Sequence, residues 1–180
     1  MVITADQLQS IIGKTPDRTR IERITDALNL TFEKYQINTP LRVCHFLAQV
    51  IHESGSFRYM EEIWGPTEAQ RQYEGRINLG NNVPGDGYKF RGRGYIQLTG
   101  RANYKEACGE FGKDFLANPD LVAQYPYVAL IAGWYWKRRN INFLADKDDV
   151  IAVTKAINGG TNGLYDREIW LTKVKSIILK

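Results

Sequence analysis

Glu53, Glu61, Glu62, Glu68 and Glu74 crowd one short stretch, and the first of them closes the apolar run Phe46-Leu47-Ala48-Gln49-Val50-Ile51-His52-Glu53. A low-dielectric setting favours the protonated form of a carboxyl, and a carboxyl that keeps its proton at neutral pH can donate it. Taken alone, a glutamate at a helix end is more often simply solvated. The crowd changes the reading, because cleaving a glycosidic bond with inversion needs two carboxyls. One protonates the leaving oxygen, and the other, roughly 6.5–9.5 Å away, activates water on the opposite face. A retaining enzyme would hold them about 5–5.5 Å apart. A loop after Gly55 can return either Glu61 or Glu62 across a cleft from Glu53, with Glu68 and Glu74 as weaker rivals.

Other chemistries fit poorly. The zinc-peptidase pattern His-Glu-x-x-His begins at His52-Glu53 but meets Ser56 where the second histidine belongs. His45 and His52 are the only histidines, and no third metal ligand stands near them. No metal and no cofactor are expected. Ser54-Gly55 lacks the context of a nucleophile elbow. His52 more naturally supports the site through a hydrogen bond.

The elements that must position these groups read as helices. Thr4 and Gln7 form a capping box ahead of a short helix that Gly13, Lys14, Thr15 and Pro16 end. Ile21, Ile24, Leu28, Phe32 and Tyr35 recur at spacings of three and four, the stripe of an amphipathic helix. Thr39 reads as an N-cap and Pro40 as the first helical residue of a third helix, apolar on more than one face and so central. From Gly65 to Gly94 the texture is rich in turns, a lobe expected to hold a hairpin or two. Helix returns after Thr99, breaks at Asn118-Pro119, and resumes over Tyr127 to Arg138, where Lys137-Arg138-Arg139 suits a helix end. A helix over Asp149 to Ile157, a polar turn from Asn158 to Gly163 and a last helix with Ile169, Trp170, Val174, Ile177 and Ile178 on its apolar side complete the chain.

The stretch Tyr88-Lys89-Phe90-Arg91-Gly92-Arg93-Gly94-Tyr95-Ile96-Gln97-Leu98-Thr99-Gly100-Arg101-Ala102-Asn103-Tyr104 is neither a Walker loop nor a Rossmann fingerprint. Its glycines let backbone approach a ligand, and Gln97, Thr99 and Asn103 offer hydrogen bonds to sugar hydroxyl or acetamido groups. Together with His52-Glu53-Ser54-Gly55, it resembles glycoside hydrolase family 19, the chitinases and phage-type endolysins. The resemblance runs from about Pro40 to Arg167 and is strongest in Phe46–Phe57 and Gly85–Tyr104. It implies a mostly α, lysozyme-like domain, 1–180, with a glycine-rich lobe beside a substrate cleft. It also implies inversion on β-1,4-linked polymers containing N-acetylglucosamine. Glu53 matches the family's general acid, and Glu62, ahead of Glu61, its general base. Thr99 matches the residue that helps hold the attacking water. Gln97, Asn103 and Asn158 match sugar contacts, with Tyr95 beside them as a further substrate-binding candidate, and Arg167 supports the acidic cluster. Tyr88, Phe90 and Trp64 offer stacking surface.

The chain has 180 residues, a net charge of +4 and two cysteines, Cys44 and Cys108, in no metal or redox pattern and expected as free thiols. No run of apolar residues is long enough to span a membrane. Met1 to Gln7 lack the basic start and apolar run of a leader. With the missing plant-type disulfide loop, these features favour the endolysin branch. Such an enzyme is held in the host cytoplasm and then acts on the wall, in the periplasm or at the extracellular face. Its expected partner is bacterial peptidoglycan, with a monomer, no nucleic acid and no stable membrane insertion. A chitinase, a lytic transglycosylase that adds no water and a non-catalytic glycan-binding module are the competing readings.

Overall fold

The computed structural model describes residues 1–13 and 17–180, so the break expected at Lys14, Thr15 and Pro16 lies outside the described residues. The capping box forms as the sequence implies: Thr4 accepts from the Gln7 amide, Gln7 returns the bond, and α1 spans Ala5–Ile12. Asp17 caps α2, Arg18–Lys34, whose Ile21, Ile24, Leu28 and Phe32 are buried, with Tyr35 buried at its end. Thr39 caps α3, Pro40–Glu53, with Pro40 in its first turn.

Every residue of α3 from Val43 to Ile51 is buried, so this helix is the axis of the molecule. The Phe46 ring meets Phe32 of α2 edge-on at 5.7 Å and Trp136 at 5.3 Å. Such ring pairs contribute about 0.5–1.5 kcal/mol each beyond their buried area. At the C-terminal end the Ser54 hydroxyl donates to the Val50 carbonyl (2.6 Å) and accepts from the Phe57 amide (2.8 Å), which turns the chain sharply. Gly55, Ser56 and Phe57 all take positive φ here. Two consecutive non-glycine residues in the left-handed region mark a turn that the surrounding packing over-determines.

The lobe expected to hold hairpins contains none among the described residues. Its backbone forms two single-turn helices, α4 (Glu68–Arg71) and α5 (Asp86–Lys89), a 3-10 turn at Ile77–Leu79, and isolated bridges of Arg93 to Glu61 and to Leu98. Side chains replace the missing ladders. Glu74 accepts from the Gly85 and Gly87 amides at 2.7 and 2.8 Å. Asp86 takes a two-pronged ion pair from Arg101 at 2.7 and 2.5 Å. Asn81 ties the Tyr73 carbonyl to the Arg101 amide. Glu68 lies exposed in the first turn of α4.

Beyond the lobe run α6 (Arg101–Phe111), a 3-10 turn over Pro119–Ala123 and α7 (Tyr127–Arg138), which ends in its basic residues as expected. Then come α8 (Ile141–Ala145), which the sequence reading did not anticipate, α9 (Val150–Asn158) and α10 (Leu164–Ile178). The buried face of α10 is Arg167, Leu171, Val174 and Ile178. Ile169 is exposed and Trp170 and Ile177 only partly covered, so the expected apolar face was rotated. The buried arginine hid the true register, because a charged residue on a helix ordinarily marks its solvent side. Cys44 and Cys108 are free thiols.

Candidate active site

Glu53 is the last residue of α3, and its side chain is one-quarter exposed. Arg167 of α10 pairs with its Oε1 and also donates to Gln49 Oε1, one helical turn earlier on the same face of α3. Gln49, wholly buried, donates in turn to Thr154 of α9 at 3.2 Å. The Arg167 guanidinium also reaches the Asn162 carbonyl at 3.3 Å. Three helices and the turn before α10 thus fix one oxygen of Glu53. The other has no hydrogen-bond partner among the described residues, and Glu53 lines a cavity.

Glu61 and Glu62 arrive across the cleft on the strand-like segment paired with Arg93. Glu61 is ion-paired with Arg91 and lies 3.5 Å from the buried Arg93 guanidinium, which is itself held by Asp120 (2.7 Å) and the Tyr104 hydroxyl (3.0 Å). Among the described residues Glu62 has only neutral partners. Its Oε1 accepts from Gln70 at 2.9 Å and Tyr73 at 3.3 Å, and its Oε2 from the Gly92 amide at 3.0 Å. A carboxylate has about four acceptor positions, so three donors leave room for a water. Burial, and then the Glu62 charge, push the Tyr73 phenol above its ordinary value of 10, which keeps that hydroxyl a donor.

One open cavity of about 270 Å³ is lined by Glu53, Tyr59, Glu61, Glu62, Ile63 and Gln97. Gln97 also lines a second cavity of about 240 Å³ with Thr99, Asn103, Trp134, Tyr135 and Arg139. Tyr135 and Arg139 continue into a third, about 550 Å³, with Lys155 and Asn158. Shared wall residues therefore link the three in series along one groove. Gln97 sits at its first junction with φ +57, another non-glycine residue in the left-handed region. The Gln97 side chain packs over Gly92, where a Cβ would lie 2.3 Å from its Oε1.

The expected site residues fall into place unevenly. Thr99 lines the cavity next to the carboxylates, not theirs, and donates to the Gln97 carbonyl at 3.0 Å. Asn103 lines the same cavity and donates to the Thr99 carbonyl at 2.7 Å. Asn158 borders the third, with both amide groups engaged in the turn, to the Asn162 carbonyl and from the Gly160 amide. His52 Nδ1 shares a 2.6 Å hydrogen bond with Asp166 of α10. Tyr95, expected to bind substrate, is wholly buried and cannot touch a ligand. Its ring meets Phe57 edge-on at 5.1 Å, its hydroxyl reaches Tyr125, and burial pushes the phenol well above 10. The two side chains part at the turn over residues 94–97, where Gln97 takes positive φ. Phe90 is likewise buried, whereas Tyr88 is exposed and meets the half-buried Trp64 edge-on at 5.3 Å.

Gln49, Gln70, Tyr73, Tyr135 and Arg139 were not singled out from sequence. Gln49 carried a usable signal: it is the one amide inside an apolar run, four residues before Glu53. The partners of Glu62 carried none, since only the folded lobe gathers them. Among the described residues no group of three His, Cys, Asp or Glu is placed to hold a metal ion.

Residues 42–157 match the family model described as Chitinase class I. A Haemophilus influenzae protein named as a glycosyl hydrolase family 19 domain-containing protein is 32% identical over 174 residues, covering 82% of this chain and 85% of its own. An endochitinase of Arabidopsis thaliana is 38% identical over 133 residues, covering 72% of this chain, and this chain accounts for only 44% of the plant protein. Among solved structures, chitinase C from Streptomyces griseus HUT6037 superposes with a TM-score of 0.77 at 25% identity, over 99% of this chain and 77% of that one. The class IV chitinase from Zea mays does so at 0.72 and 21% identity, over 98% and 92%, a likeness of fold.

Proposed function

Because the chain belongs to glycoside hydrolase family 19, the class I chitinase family, we propose that it hydrolyses β-1,4-linked glycans containing N-acetylglucosamine, with inversion. The carrying observation is the single cavity that Glu53 and Glu62 both line, with Gln97 at its exit into a longer groove. In this reading protonated Glu53 donates from its unpaired oxygen to the leaving glycosidic oxygen. Glu62 takes a proton from a water on the far face of the sugar. Arg167 holds Glu53 in place, and Gln97, Asn103 and Asn158 seat the neighbouring sugars, so that binding energy goes into orientation. Thr99 acts on that water only if substrate draws the two cavities together. Its hydroxyl otherwise braces the Gln97 turn.

Chitin-type polymer takes first place as substrate, since the relatives named by an activity are endochitinases. Peptidoglycan, with an endolysin's place of action at the bacterial wall, is the second reading. The net charge of +4 and a basic stretch of the groove favour it. Purified chitin oligomers and purified peptidoglycan glycan, incubated separately and resolved by mass spectrometry, decide the matter. Products bearing a new reducing end show hydrolysis, and anhydro ends would instead show transglycosylation. Glu53→Gln should lower kcat on the accepted glycan by about 10²-fold or more. Activity within twofold of the parent would remove Glu53 from the mechanism.

A further inference from the structure

The groove is divided by charge. Its first cavity is lined by three carboxylates, two of them paired with arginines outside that lining, Arg167 and Arg91. The second and third are lined by Arg138, Arg139 and Lys155 and by no aspartate or glutamate. The cations differ in what they already hold. Arg138 is ion-paired with Glu106 and lies over Trp134. Neither Arg139 nor Lys155 has a carboxylate within ion-pair distance among the described residues.

Arg139 is also held in position. Its guanidinium stacks on Tyr135, 3.8 Å from the ring centroid, and the Tyr135 hydroxyl donates to the Ile157 carbonyl at 2.6 Å. A planar guanidinium fixed on an aromatic face keeps its edge donors for a partner, and carboxylate geometry matches that edge. Tyr135 lines the second and third cavities together with Arg139. The stacked cation sits at the border of the second and third cavities, and the second shares Gln97 with the carboxylate cavity.

We propose that Arg139, with Lys155 in the same cavity wall, is a specificity-determining residue that receives a carboxylate where the glycan carries one, so that an acidic form of the polymer binds more tightly than the neutral form of equal length. The inference rests on the hydrolase reading and narrows it. The carboxylate is either an acidic ether on the sugar itself or the end of a peptide attached to it, and one chemistry serves both.

The test measures binding apart from turnover. In a Glu53→Gln background, calorimetry at low salt compares three oligosaccharides of equal length: neutral N-acetylglucosamine, the same backbone with lactyl carboxylates on alternate sugars, and that glycan with its peptides. The acidic forms should bind about two- to fivefold more tightly than the neutral one, within the range of an exposed charge pair, with the margin shrinking as salt rises. Arg139→Gln should abolish the preference. Arg139→Lys should keep part of it, and Lys113→Gln, a charge loss at an exposed site off the groove, should keep all of it. A gain seen only with the peptide-bearing form assigns the carboxylate to the peptide. Equal affinities in the parent background, or a preference that survives Arg139→Gln, overturn the proposal. Failure of the hydrolase reading shows separately, as no product from either glycan with the unsubstituted chain.

Discussion

Adjacent residues with identical side chains, Glu61 and Glu62, illustrate how far environment decides chemistry. Alternation along an extended segment turns one toward Arg91 and Arg93 and the other toward Gln70, Tyr73 and the Gly92 amide. The guanidiniums around Glu61 brace the segment against α6 through Tyr104. Glu62 keeps an acceptor position for water within a frame of neutral donors. Glu62→Gln should therefore lower kcat by about 10²-fold or more while leaving the folded state intact by circular dichroism. Glu61→Gln should act mainly on stability, by about 1–3 kcal/mol, because it strips a partner from the buried Arg93. Reversed outcomes, with Glu61→Gln silent in melts but inactive, would pass the role of base to Glu61. From sequence the two glutamates were separable only through the family resemblance, since the donors that distinguish them come from two other segments, Gln70 to Tyr73 and Arg91 to Arg93.

At the scale of elements, the helices were legible because capping and periodicity are local. Thr4 with Gln7, Thr39 with Pro40, and the Ile21 to Tyr35 stripe each state their structure within a few residues. What failed depended on distant partners. Periodicity put Arg167 outside, and only the resemblance placed it by the acidic cluster, where Gln49 and Glu53 hold it; the lobe does without hairpins because Glu74, Asn81 and Asp86 hold its turns. The polar turn ahead of α10 is a further case. Gly163 has φ +69, and a Cβ there would stand 2.4 Å from the His52 ring, while its carbonyl accepts from the Arg167 amide. Gly163→Ala should thus displace His52 from Asp166, and the left-handed backbone alone costs about 1–2 kcal/mol. Thermal melts should show that loss, and kcat should fall with it as Arg167 shifts. Gly109→Ala, inside α6 with open space around it, should instead be neutral or stabilise by about 0.5–1 kcal/mol. If both substitutions proved equally mild, the turn would not be positioning Arg167.

Across the whole molecule, α3 and α10 lie antiparallel, and each end of the pair carries a charge cluster. At the catalytic end stand Glu53, Arg167, His52 and Asp166. At the other, the buried His45 Nε2 meets Asp148 at 2.7 Å, and Asp148 also takes Lys175 of α10 at 2.6 Å. Burial lowers His45 below its ordinary 6.5, against the opposing pull of Asp148. Burial alone would raise Asp148, but bonds from Lys175 and His45 outweigh it and hold that carboxyl below 3.8. Asp86 is lowered by Arg101, and Asp146 by Arg42. In every one of these groups the unfolded chain binds a proton more readily than the folded one, so each contributes stability that is lost on acidification. The loss should begin near pH 6.5 as His45 protonates in the unfolded chain, with a slope of at most about 1.4 kcal/mol per pH unit for one proton. It should steepen below about pH 4, where the aspartates join. Urea midpoints measured from pH 8 to pH 3 will show both limbs. His45→Gln, which keeps a donor for Asp148, should flatten the first limb and spare the second. A parent curve level between pH 7 and 5, or a first limb unchanged in the variant, would mean that the neutral buried imidazole does not set the molecule's acid response.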